Sequence, residues 1–65
     1  MRILVNGVWR ETETRELAAM LEEQGFGGRV VATAVNGEFV AAPARAERAL
    51  ADGDAVEVLA PMQGG

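Results

Sequence analysis

The chain contains no Cys, His, Tyr, Ser or Lys, and each absence removes a class of function. Without cysteine, neither a disulfide framework nor a thiolate metal site can brace the domain, and packing alone must hold it. The usual nucleophiles, the neutral-pH proton shuttle and the Schiff-base amine are missing with the other four. A self-sufficient enzyme is therefore not expected. No apolar run approaches the roughly 18 residues of a membrane span, and the opening Met1-Arg2-Ile3-Leu4-Val5 turns polar too soon for a signal peptide. A cytoplasmic location with no membrane partner is the expectation. Six Arg against ten Asp and Glu leave a net charge of −4 and a pI near 4.6. Unclustered arginines on an acidic chain cannot neutralise a phosphate track, which argues against nucleic acid and favours a basic or apolar protein partner.

What is present suits one small domain. With 65 residues, of which 49% are hydrophobic and 25% charged, the chain is too apolar for disorder and too short for a second core. Asn-Gly pairs punctuate it. Asn6-Gly7 separates the apolar run Ile3 to Val5 from Val8-Trp9-Arg10, and Asn-Gly between apolar segments is the strongest short hairpin signal. Strands are expected over 2–6 and 8–11. From Thr14 the period changes, with Leu17, Met20 and Leu21 at i, i+3, i+4 and Glu16, Glu22 and Glu23 on the outer side. The spacing predicts a helix over 15–24, capped by Thr14 and ended by Gly25, with Phe26 folding back on the last turn.

A second hairpin follows from the β-branched run Val30 to Val35, the turn Asn36-Gly37 and the return Glu38-Phe39-Val40. Pro43 to Leu50 has too few apolar positions for a stable helix and is expected to form a loop with one or two helical turns. Asp52-Gly53-Asp54 lacks the further ligands of a calcium loop and reads as a plain turn into a last strand. There, alternation places Val56 and Val58 on one face and Glu57 and Leu59 on the other. The order ββαββ, with one helix and about five short strands, is an α+β layer closed by Ile3, Val5, Leu17, Met20, Leu21, Val35, Leu50, Val56 and Val58. Residues 1–61 would form the domain and 62–65 a flexible tail.

That tail, Met62-Gln63-Gly64-Gly65, is the most unusual feature. A segment without side chains can enter a channel too narrow for any Cβ. Extended, residues 61–65 reach up to ~17 Å, enough to carry a terminal carboxylate into another protein's active site. An ionised carboxylate is a poor electrophile, and no phosphate-binding loop is present to activate it, so a partner must supply nucleotide and metal. Leu59, exposed beside the tail on a helix-free sheet face, is the candidate docking residue. Trp9 reads as packing, and Glu22 and Glu23 as a solvated face.

In order and ending, the sequence resembles the ThiS-type sulfur carriers of thiamine (thiazole) biosynthesis, in the ubiquitin-like β-grasp family. The landmarks are Ile3-Leu4-Val5-Asn6-Gly7, the helix beginning at Thr14, Val35 to Val40, Leu50 to Asp54, and Val56-Glu57-Val58 leading to Pro61-Met62-Gln63-Gly64-Gly65. Near Arg45 such carriers often have a bulkier apolar residue. The resemblance implies a β-grasp fold with a mixed sheet packed on one helix. It also implies a carrier cycle. An E1-like adenylyltransferase of the ThiF type uses ATP and Mg to adenylate Gly65. A sulfurtransferase or cysteine desulfurase supplies sulfur to form a thiocarboxylate, and a ThiG-type thiazole synthase accepts that sulfur. The chain itself would bind no cofactor or metal. Gly65 carries over as the modified residue, Gly64, Gln63 and Met62 as its tail, and Leu59 with Glu57 as docking residues. The small subunit of molybdopterin synthase and ubiquitin-like protein modifiers are the alternatives.

Overall fold

The structure is a computed structural model that describes residues 1–61. Strands β1 (Arg2–Val5) and β2 (Val8–Glu11) precede the helix α1 (Leu17–Glu23). Next come β3 (Ala32–Val35), β4 (Glu38–Val40), a 3-10 segment (Ala42–Glu47) and β5 (Ala55–Leu59). The observed order is thus ββαβββ, one strand longer than the ββαββ shorthand. The sheet runs β2-β1-β5-β3-β4. Both hairpins are antiparallel, and β5 enters between them, parallel to β1 and antiparallel to β3. The last strand in sequence is therefore the central one in space.

The two hairpins turn as their sequences require. Asn6 and Asn36 adopt φ of 49° and 51°, and Gly7 and Gly37 follow at 81° and 83°. Two successive positive φ values define a type I′-like turn, whose twist matches that of paired strands and which Asn-Gly tolerates best.

One face of the sheet is covered by α1. Every residue expected in the core is buried, and Val40 joins them from β4. Two threonines are buried as well, and both are satisfied. Thr33 donates its hydroxyl to the Val40 carbonyl at 2.8 Å and accepts from Arg45 Nε at 2.9 Å. Thr12 donates to the Glu23 carboxylate and contacts the Thr14 hydroxyl at 3.0 Å. Leaving either hydroxyl unpaired would cost about 1–3 kcal/mol, so these contacts join strand ends to the elements packed above them.

The helix ends as expected and begins differently. Gly25, at φ 91°, sits one residue beyond the C-cap Gln24. The Phe26 N–H donates to the Leu21 carbonyl at 2.8 Å and the Gly25 N–H to that of Glu22 at 3.2 Å, the two bonds of a Schellman motif. Phe26 accordingly packs against the core from the helix end. At the other end the cap is Glu16, not Thr14, and no side chain caps the helix. The Leu17 N–H finds the Arg48 carbonyl at 2.9 Å instead, and Leu50 N–H donates to the Arg15 carbonyl. A backbone bridge from a distant segment satisfies what a local hydroxyl was expected to satisfy. Thr14 is freed for Thr12.

The 43–50 segment forms the expected short helical turns. Arg45 ties this segment down by polar means. Besides Thr33, it donates from a terminal guanidinium nitrogen to the Val31 carbonyl at 2.6 Å. Among the described residues no helix is long and apolar enough to cross a membrane.

Candidate functional site

The uncovered face of the sheet and the end of β5 form one continuous region. Strand pairing assigns its members, because directly paired residues share a face. Leu4 opposes Trp9 and Ala55, Ala34 opposes both Phe39 and Glu57, and Ala32 opposes Leu59. Leu59 and Phe39 are 62% and 69% exposed, which for large apolar side chains marks a surface built for contact rather than for water. Between them the small Ala32 and Ala34 leave a shallow apolar groove with Glu57 on its wall. The groove continues past Leu59 to Val30 and Pro61, where the described chain ends.

The two docking candidates, Leu59 and Glu57, therefore stand side by side on the open face, as the alternation in β5 required. Phe39 and Val30 were not singled out from the sequence. Phe39 was legible in principle, since the two-residue Asn36-Gly37 turn places it opposite Ala34. Gly65, Gly64, Gln63 and Met62 lie outside the described residues.

Trp9 departs from its expected packing role. It lies on the open face, half exposed, with the Arg2 guanidinium carbon 4.7 Å from the ring centroid. β2 is an edge strand whose four residues are all exposed, and Trp9 points to the sheet face that α1 does not cover. A cation over the indole shields one face of a ring that the core does not reach.

The acidic side chains divide between structure and solvent. Glu23, expected on a solvated face, is engaged. The Thr12 hydroxyl, followed by the Glu13 N–H, holds its carboxyl below the ordinary 4.5. Asp54 is held below 3.8, first by the Ala51 N–H and then by the Asn36 carboxamide. Asp52 accepts the Arg2 N–H at 2.7 Å. The Asp52-Gly53-Asp54 turn thus spends its carboxylates on backbone donors. Among the described residues no cluster of three or more acidic groups is arranged to hold a metal ion. The arrangement can present an apolar surface to a partner.

A mixed five-stranded sheet with its last strand in the centre and one helix across a single face is the β-grasp architecture of ubiquitin-like proteins. Comparison with known proteins narrows the class. The ThiS family profile matches residues 3–65, and the chain belongs to that family. It is 41% identical over 63 residues to the sulfur carrier protein ThiS of Thermus thermophilus, covering 97% of this chain and 98% of that protein. The crystal structure of the thiamine biosynthesis protein ThiS from Geobacter metallireducens superposes with a TM-score of 0.82 at 29% identity, over the full length of both chains. An NMR solution structure of a thiamine biosynthesis protein from the same organism gives 0.77 at 29% identity, over all of this chain and 88% of that one.

Proposed function

We propose that this chain carries sulfur as a thiocarboxylate on Gly65 for thiazole formation in thiamine biosynthesis. The observation that supports this most directly is the ThiS family match, which spans residues 3–65, from β1 through Gly64-Gly65. In the proposed cycle an E1-like adenylyltransferase of the ThiF type docks on the open face around Leu59 and Glu57. Using ATP and Mg, it joins the Gly65 carboxylate to AMP with release of pyrophosphate. The outer sulfur of a persulfide on a sulfurtransferase or cysteine desulfurase then displaces AMP to give an acyl disulfide. A thiol reductant cleaves that disulfide to leave the thiocarboxylate and is itself oxidised to a disulfide, and a ThiG-type thiazole synthase takes the sulfur. Met62 and Gln63 serve as spacer, and Gly64 leaves the reacting carbon unencumbered by side chains. Activation chemistry resides in the partners, which supply nucleotide and metal, and the chain acts as a carrier in the cytoplasm.

The test is intact-mass spectrometry after incubation with an activating enzyme, ATP, Mg and a sulfur source. A mass gain of one oxygen-to-sulfur exchange, mapped to Gly65 and lost when Gly65 is deleted, is expected. A stable adduct elsewhere, or isopeptide attachment to lysines of other proteins, would replace the carrier reading with that of a modifier. Offering the thiocarboxylated chain separately to thiazole synthase and to the large subunit of molybdopterin synthase decides the pathway. Turnover is expected with the first only.

A further inference from the structure

The two Asn-Gly turns do more than reverse the chain. β1 pairs with β5 only at Leu4↔Ala55 and Val5↔Val56, and its ladder closes with the Asn6 N–H donating to the Val56 carbonyl at 2.9 Å. Beyond that point β1 has turned away, and β5 continues for three more residues. There the Asn6 side chain takes the place of a strand. Its Oδ1 accepts the Val58 N–H at 2.8 Å and its Nδ2 donates to the Val58 carbonyl at 2.9 Å. A carboxamide that pairs both ways with one residue reproduces what the next peptide of β1 would have supplied.

Asn36 makes the matching contact at the opposite end of β5. Its Oδ1 accepts the Ala55 N–H at 2.9 Å, and its Nδ2 donates to Asp54 at 3.0 Å. The central strand is thus clamped at both ends by turn asparagines. Only the Asn6 clamp lies at the end that carries Leu59 and then Pro61.

We infer that Asn6 is a positioning residue: by pairing with both backbone groups of Val58 it fixes the direction in which the chain leaves the sheet relative to the Leu59 docking face. The inference rests on the carrier reading for its functional consequence. A docked carrier must deliver its end along one line into a partner's active site, and an end that swings spends most encounters off that line. In that reading docking uses the side chains around the groove at Leu59, Glu57 and Phe39, and Asn6 is not among its lining residues. Its loss is therefore felt in turnover more than in binding.

Asn6→Gly and Asn36→Gly form a matched pair. Each leaves a Gly-Gly turn that accepts two positive φ values and removes only the clamp. With the activating enzyme, Asn6→Gly is expected to lower the kcat of adenylation about five- to tenfold, while KM for the carrier stays within about twofold. Asn36→Gly should leave both nearly unchanged. Asn6→Asp, which keeps the acceptor for the Val58 N–H and loses the donor to its carbonyl, should fall between Asn6→Gly and wild type. Amide hydrogen exchange reads the clamp without any partner. Val58 should exchange roughly tenfold faster in Asn6→Gly, and Ala55 rather than Val58 in Asn36→Gly.

Unchanged Val58 exchange, or faster exchange with no loss of kcat, would overturn the inference. Equal kcat losses in the two glycine variants would do so too, since they would report general destabilisation. A wild-type chain that is never adenylated overturns the carrier reading and, with it, the role of Asn6 in presentation. That outcome is distinct from the others because every variant would then be equally inert.

Discussion

On one side of β5, Val56 and Val58 lie against the helix with at most 5% of their surface exposed, whereas on the other Leu59 shows 62% and Glu57 stands beside it in solvent. The residues alternate along one strand, and hydrophobicity does not explain the exposure of Leu59, which is as apolar as the valines. What separates them is α1, which among the described residues covers one face and leaves the other open. The helix-covered face gains stability from burial, so substitution there should act on folding. The open face leaves its apolar area unburied within the chain, so substitution there should act on association. One substitution series can separate the two.

The largest effect is expected at the centre of the covered face. Met20→Ala removes a fully buried side chain and should cost about 2–5 kcal/mol of folding free energy, measured by denaturant titration. Much of the stability of so small a domain would be lost, and a substantially native chain after this change would show that the helix does not close the core. Next comes Leu59→Glu. Binding to the activating enzyme or to thiazole synthase should weaken by about 1–3 kcal/mol in calorimetric titration, with Tm nearly unchanged. Val58→Ala should do the reverse, costing about 1–2 kcal/mol of folding and leaving docking nearly intact. An interchange of these two outcomes would break the comparison outright.

The smallest effect is on pH dependence and belongs to the covered side. Glu23 and Asp54 both have carboxyl pKa values lowered in the folded state. Such groups contribute stability that is fully present above their unfolded values and is lost as pH falls through the lower folded ones. Tm should therefore begin to fall below about pH 4.5, with Glu23→Gln and Asp54→Asn each flattening part of the decline. Both side chains are largely solvated, so the change per group is small. An undiminished decline in the double variant would assign the acid sensitivity to other carboxylates.

Much of the fold and part of the site could be read from the chain because the relevant interactions are short in sequence. The hairpins follow from Asn-Gly pairs, the helix end from Gly25 followed by Phe26, and the core list from two periodicities. The alternation in β5 likewise exposed Leu59 and Glu57. Trp9 was misjudged because its burial depends on which face of the sheet the helix covers, and the short β2 run does not contain that. Thr14 was misjudged for a related reason. Its hydroxyl was available to cap the helix, yet a carbonyl from Arg48 reached the Leu17 N–H first. Phe39 escaped notice because a single large apolar residue on a three-residue strand has no periodicity of its own.

By itself, then, the sequence determined where the chain turns, which residues are apolar together, and that two glycines, Gly64 and Gly65, follow the last strand. These depend on neighbours within a few positions and on side-chain chemistry that does not change with context. Only the tertiary structure decided that β5 enters the sheet between the two hairpins, so that the last strand is held by a neighbour on each side. It alone brought Asn6 to Val58, 52 positions away, and Arg45 to Thr33. Such pairings have no local signature, because a polar side chain in a turn is equally content with water. They arise only when packing of the helix on the sheet has fixed which strand ends meet and has removed water from between them.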